Sequence, residues 1–337
     1  MCKHNLNYNK LEKVTNNCIP MYDWITARID WQEQGLTKKQ VLNDVVVETI
    51  TTCTYSGVTW HNGYVVNNAN KRKLGVNVGN NGGLTIKVCP PKYIKDNNVE
   101  EASLYETYNL FFNLSNSLSI DLTKAEVKKL DITHTAKSDH SPIAYYPHLC
   151  NQNTFTRWQQ DTSLYYRANS KPITKVLYDK VTEVKKKASQ EIPEEYKGTP
   201  LTRFELKLGS NSIISKVANK SHKLLVDDLF KEEYVVHLDD YWHQEWDSIP
   251  KETKIKDVNR KLKPSELVKF INLKALEEYG RVNIEEIINN KAEEFKYSKQ
   301  EKYRARQMLK LYEENATMSE QIVELDKKFK DMQPKWS

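Results

Sequence analysis

The chain has 337 residues, 39% of them hydrophobic and 28% charged, with a net charge of +6. That is a polar but foldable composition, long enough for one large domain or two ordinary ones, and it excludes a disordered chain. No apolar run approaches the ~18 residues of a membrane span, the N-terminus "MCKHNLNYNKLEKVTNNC" has no apolar core of a secretory signal, and five scattered cysteines without a CxxC pair exclude a disulfide scaffold and a zinc ribbon.

These features lead us to expect a cytoplasmic protein with no membrane partner. The basic excess is localised. Residues 121–220 hold 17 Lys and Arg against 11 Asp and Glu, which accounts for the whole net charge. Local basicity of this kind attracts polyanions, and nucleic acid is the commonest.

Residues 1–20 are polar and are expected to be irregular. From "MYDWITARIDW" to "GGLTIKVCPP" the chain is rich in Val, Thr, Ile and Tyr, and it is broken by "NNANKRK" and "GNNGG". This predicts strands and hairpins. "VEEASLYETYNLFFNLSNSL" predicts a helix, with Leu104, Tyr108, Phe111, Phe112 and Leu114 near helical spacing and acids at its start. "EVKKLDITHTA" predicts a strand in which Leu130, Ile132 and His134 alternate with Asp131, Thr133 and Thr135. "DTSLYYRA", "ITKVLYDK" and "LTRFELKL" predict three more. "HKLLVDDLFKEEYVVHLDDYWHQEW" then predicts one long amphipathic helix. A charged linker follows over 250–263, then helices in "KPSELVKFINLKALEEYG", "VNIEEIINN", "SKQEKYRARQMLKLYEE" and "SEQIVELDKKFKDM". Short helices with tight turns are compatible with a helix-turn-helix or winged-helix module. The expected fold class is α+β, a mainly antiparallel sheet with flanking helices plus a helical C-terminal region. The expected divisions are an irregular segment 1–20, a catalytic unit 21–247 and a helical region 248–337 for DNA binding or oligomerisation.

The chemistry concentrates in "KVLYDKVTE", residues 175–183. Tyrosine can be a covalent nucleophile, but its ordinary pKa of about 10 keeps it neutral near pH 7. A nearby cation or a metal must stabilise the phenolate. Lys180 and Glu183 lie close enough in sequence to join Tyr178. Asp131 and Glu205 are acids set among strand residues that favour burial, and such acids need a partner: a metal, an arginine or a capped backbone. Arg203 is the nearest structural partner for Glu205. His134 stands three residues beyond Asp131, so an ideal strand turns it to the opposite face. It joins the site only through a bulge or strand end. The chain has no P-loop, GxGxxG, HExxH, GxSxG or His-x-His pair.

The succession "MYDWITARIDW", "LTIKVCPPKYI", "VKKLDITHTA", "LYYRANSKPITKVLYDKVTE" and "LTRFELKL" resembles the gene II/X replication initiation proteins of filamentous phages and the related rolling-circle initiators of some plasmids. The resemblance covers about residues 21–210 and is most specific in "YDK" with a following glutamate, then "RFE". It departs at "LDIT", where Lys129 and Leu130 stand in place of an arginine that often precedes the aspartate. The resemblance implies a metal-dependent, origin-specific nickase that also rejoins strands. Its tyrosine attacks a phosphodiester, keeps the 5′-phosphate and frees a 3′-OH for synthesis. Carried over by position, the catalytic residues are Tyr178, Lys180 and Glu183. The Mg²⁺ or Mn²⁺ ligands are Asp131 and Glu205, with His134 a further candidate. Lys185, Lys186, Lys187, Arg167 and Lys175 are expected to hold the DNA backbone, and Trp158 and Tyr165 to stack unpaired bases or to pack in the core. The implied partners are locally melted origin DNA and the host helicase and polymerase. A tyrosine recombinase would need an HxxR motif, which is absent. The alternative from another class is a non-enzymatic DNA-binding repressor or copy-control protein.

Overall fold

The computed structural model describes residues 21–66, 72–95, 97–186, 192–255, 263–279, 294, 296, 298–303, 306–307, 310 and 316–333. Ten strands form one sheet: β1 (Met21–Asp30), β2 (Val46–Thr52), β3 (Thr59–Val66), β4 (Lys73–Gly79), β5 (Gly83–Val88), β6 (Glu126–Lys137), β7 (Phe155–Gln160), β8 (Ser163–Ala168), β9 (Ile173–Asp179) and β10 (Leu201–Leu208). Their spatial order is β2-β3-β4-β5-β1-β6-β10-β9-β8-β7, and every neighbouring pair is antiparallel. A separate pair joins β11 (Thr253–Ile255) to β12 (Ala316–Met318). The helices are α1 (Lys38–Leu42), α2 (Pro90–Lys95), α3 (Leu104–Leu118), α4 (Lys180–Lys186), α5 (Asn211–Val217), α6 (Glu232–Asp247), α7 (Pro264–Tyr279) and α8 (Glu320–Asp331). The class is α+β with a mainly antiparallel sheet, as the sequence leads one to expect. No helix among the described residues is long and apolar enough to cross a membrane.

Alternation assigns the two faces of the sheet. In β10, Phe204, Leu206 and Leu208 point to the core, and Arg203, Glu205 and Lys207 to the other face. In β6, Leu130, Ile132 and Ala136 share the core side with His134. Helices α3, α5, α6 and α8 contribute to the core that covers this side. Helix α3 begins with a capping box: Ser103 N donates to Glu106 Oε2 at 2.9 Å and Glu106 N to Ser103 Oγ at 3.1 Å. It buries Leu104, Tyr108, Phe111 and Leu114 as expected, but Phe112 falls on the exposed side. At the tip between β4 and β5, Gly82 takes φ +90°, a conformation that favours glycine.

Three expectations are corrected. The linker expected over 250–263 carries β11, Thr253–Ile255, which pairs with β12. The long helix over 222–246 is broken. Leu225 bridges Glu126, a 3₁₀ turn spans Val226–Phe230, and α6 begins only at Glu232. Asp228 favours the 3₁₀ turn over a continuous helix, because its carboxylate accepts from Leu225 N at 2.8 Å, and Lys231 ahead of α6 is extended. The strand β7 is not signalled by the sequence, because "FTRWQQ" lacks a buried alternating face on this edge of the sheet. The helix predicted over 282–290 lies outside the described residues, and that over 298–314 lies only partly within them. The last helix, α8, returns to the main core: Ile322, Leu325 and Phe329 are buried there, and Trp246 Nε1 donates to Asp326 Oδ1 at 2.8 Å.

Candidate active site

The face of the sheet opposite the helical core carries a groove of about 1600 Å³. Tyr178, Lys180, Glu183, Asp131 and Glu205 all line it. Strand register explains the convergence. Arg203 pairs with Tyr178, Asp131 pairs with Lys207, and Glu205 lies two residues along β10 between them. Strand β9 ends at Asp179, and its carboxylate accepts from Thr182 N at 3.0 Å and Thr182 Oγ1 at 2.9 Å to start α4. Lys180 therefore opens a helix and does not continue the strand. Its Nζ still lies 5.5 Å from the centre of the Tyr178 ring and donates to Glu183 Oε2 at 2.9 Å.

Tyr178 is only 6% exposed. Burial and the Glu205 carboxylate push its phenol well above the usual value, and the facing Arg203 opposes them. Burial, reinforced by the Arg203 cation, draws the Lys180 ammonium down to about 6 against the pull of Asp23 and Glu205. The pair is thus a protonated phenol beside an ammonium that burial makes easier to deprotonate.

Asp131 and Glu205 face each other across Lys207. Lys207 Nζ donates to Asp131 Oδ2 at 3.3 Å and to Glu205 Oε1 at 2.9 Å. Burial and the neighbouring Glu205 charge raise the Asp131 carboxyl to about 8. Two crowded oxygen donors that already share a cation form a set suited to a hard divalent ion, which takes one or two protein carboxylates plus substrate phosphate and water.

Two further groups belong to this site. Asp23 sits in a bulge of β1, between Tyr22 paired with Ile132 and Trp24 paired with Asp131. Burial pushes its carboxyl up, yet Arg203, Lys180, Lys207 and Lys92 together hold it below its ordinary value. Arg203 Nη1 donates to Asp23 Oδ1 at 3.2 Å, Nε to Thr135 Oγ1 at 2.7 Å and Nη2 to Val99 O at 3.5 Å. The expected Arg203–Glu205 pairing gives way to Lys207 as the hydrogen-bonding partner of Glu205. The signal for Asp23 is present in "MYDWITARIDW", an acid inside an apolar strand like Asp131. The bulge that aims it is not readable there.

The remaining expected residues divide. Arg167 is exposed in β8 and lines the groove with Lys92, Lys129 and Lys171. Trp158 and Tyr165 stack on one another in the same groove, with ring centroids 4.9 Å apart and planes 8° apart. Lys185 and Lys186 are exposed at the end of α4, outside the groove lining, and Lys187 lies outside the described residues. Lys175 is not available to DNA. It alternates to the core face of β9, where Nζ donates to Gln152 Oε1, Glu245 O and Ser248 Oγ, each at 2.9 Å, and pairs with Glu245 Oε2 at 2.6 Å. His134 is also on the core face. Its Nε2 lies 3.0 Å from Asp239 Oδ1, so the strand's pleat separates it from Asp131.

A comparison with curated proteins yields no match. Residues 21–228, more than half of the chain and inclusive of every groove residue named above, match the family model for the N-terminal region of the phage replication-associated protein of the gene II type, and the chain belongs to that family.

Proposed function

We propose that this replication-associated protein initiates rolling-circle replication by nicking, and later rejoining, one strand of its origin through Tyr178. The observation that carries this reading is the convergence of a buried tyrosine, a lysine with a lowered pKa, and a carboxylate pair bridged by Lys207 in one basic groove. Tyr178 Oη attacks the scissile phosphorus. Its proton passes to Lys180 in its amine form, and the resulting ammonium, held by Glu183, stabilises the charge developing beside it. The P–O3′ bond breaks, the 5′-phosphate stays esterified to Tyr178, and the 3′ oxygen leaves as a hydroxyl after taking a proton from water, while Lys180 keeps the proton it accepted from Tyr178. Arg203, locked by Asp23, Thr135 and Val99, keeps a fixed positive charge beside the phenol. Asp131 and Glu205 would hold Mg²⁺ or Mn²⁺, which when bound polarises the scissile phosphate.

The ester conserves the energy of the broken bond, so rejoining needs no nucleotide. This agrees with the lack of a P-loop. The exposed groove cations Arg167, Lys129 and Lys171 contact backbone phosphates. Host helicase and polymerase would unwind and extend from the freed 3′-OH.

The test uses supercoiled DNA carrying the cognate origin, with Mg²⁺ or Mn²⁺. The wild-type chain should leave a nick with an extendable 3′-OH and an adduct that maps to the peptide containing "VLYDK". Tyr178→Phe keeps the ring and should bind DNA while forming neither nick nor adduct. Wild-type protein that shifts the DNA under every divalent ion without cutting it would overturn the nickase reading in favour of a binding repressor.

A further inference from the structure

We propose that His134, Asp239 and His243 form a second metal site, structural in role and selective for a borderline transition ion of the Zn²⁺ class. It lies on the face of the sheet opposite the nicking groove. Asp239 and His243 are one turn apart on α6 and so share a face. His134 reaches them from β6. The three donor atoms lie within 4.8 Å of one another, and this is the single such His, Cys, Asp or Glu cluster among the described residues.

The spacing suits a four-coordinate ion. His134 Nε2 is 3.0 Å and His243 Nε2 3.7 Å from Asp239 Oδ1. Metal–ligand bonds of about 2.0–2.2 Å place adjacent tetrahedral ligands ~3.4 Å apart, between those two values. Burial supplies the independent observation. Asp239 is fully buried and His243 is 7% exposed, yet Asp239 Oδ2 and His243 Nε2 have no hydrogen-bond partner. A plain His134–Asp239 hydrogen bond explains neither atom. One cation bound through Asp239 Oδ1 would take up His243 Nε2 directly, and a further ligand on that cation, such as water, would donate to Asp239 Oδ2. Two imidazoles and one carboxylate match Zn²⁺, Ni²⁺ or Co²⁺ and mismatch Mg²⁺, which requires an oxygen shell. The ion would pin α6 to β6 behind Asp131, three residues from His134, so it would brace the strand that carries the nicking-site acid.

The experiment uses the full chain with Asp131→Asn and Glu205→Gln, which removes the groove's carboxylate pair, after chelator treatment. Titration with Co²⁺ should saturate at about one equivalent with the intense visible bands of a tetrahedral ion. Zn²⁺ should displace it, and about a thousandfold excess of Mg²⁺ should not. Zn²⁺ at about 100 times Kd should raise Tm by about 5 °C. His243→Gln and Asp239→Asn, confirmed folded by circular dichroism, should each abolish the bands. Absence of bands and of a Tm shift in the folded parent chain, as a buried water in place of an ion would give, overturns the proposal. So do bands that persist in either variant. If neither variant folds, X-ray absorption of the Zn²⁺-loaded parent decides: two imidazole ligands support the site, and any other count overturns it.

Discussion

At Asp131, protonation and metal binding compete. The carboxyl is raised from 3.8 to about 8 by burial and by Glu205. Between those values the folded chain holds a proton that the unfolded chain has released. The stability linked to this group is therefore complete below about pH 4 and is lost as pH rises towards about 8. In chelator, Asp131→Asn should be increasingly more stable than wild type as pH is raised from about 5 to about 8.5, as read from Tm. A gap that does not widen would show that Asp131 holds no proton. A divalent ion must displace the same proton, so its affinity should rise over this window. Lys180 has the opposite displacement, to about 6. If it accepts the Tyr178 proton, the single-turnover nicking rate should climb as pH passes through about 6. Lys180→Met should lower the rate by about 10²–10⁴-fold and flatten that climb. A variant with an unchanged profile would remove Lys180 as the base.

At the scale of elements, the β7–β8 hairpin forms one edge of the sheet. Its stacked Trp158–Tyr165 pair is half-buried and faces the groove beside Arg167. Stacking on such a platform contributes about 1–3 kcal/mol per base. Trp158→Ala should weaken binding of a single-stranded origin oligonucleotide by that amount in fluorescence anisotropy, with Tm little changed because the ring is outside the main core. Unchanged affinity together with a large fall in Tm would make the pair a packing device. Helix α4 shows how an element boundary can serve the site. Asp179 caps the turn and the strand stops, yet Lys180, now the first residue of α4, stays beside Tyr178.

Across the whole molecule, the groove rests on a core that the end of the chain completes. Phe329 of α8 packs against Trp246 at 4.8 Å, Trp242 at 5.2 Å and Phe204 at 6.5 Å between ring centroids. Phe204 lies between Arg203 and Glu205 on β10, on the opposite face. Phe329→Ala removes a fully buried ring and should cost about 3–5 kcal/mol in denaturant unfolding. A loss under about 1 kcal/mol would indicate that α8 is not part of the cooperative core. Tyr145 Oη donates to Glu324 at 2.5 Å and Lys328 Nζ to Lys137 O at 2.7 Å, so α8 is also tied to the end of β6.

Local patterning alone determined the antiparallel α+β class and the helix at Leu104–Leu118, and it singled out Tyr178, Asp131 and Glu205 as candidates. Each rests on a signal that spans a few residues: period-two alternation, helical spacing of apolar residues behind an acidic start, or a charge set where burial is favoured. The same alternation places His134 opposite Asp131 and Lys175 opposite Tyr178. For Lys175 the charge of the side chain points to phosphate contact, and the alternation overrides it. What only the tertiary structure decided depends on pairs distant in sequence. The bulge at Asp23 exists because β1 pairs with β6 more than a hundred residues later. Lys207 bridges Asp131 and Glu205 through the β6–β10 register. His134 meets Asp239 and His243 only when α6 folds over the sheet. Long-range register and helix docking minimise the energy of the whole chain, and no window of neighbouring residues contains that information.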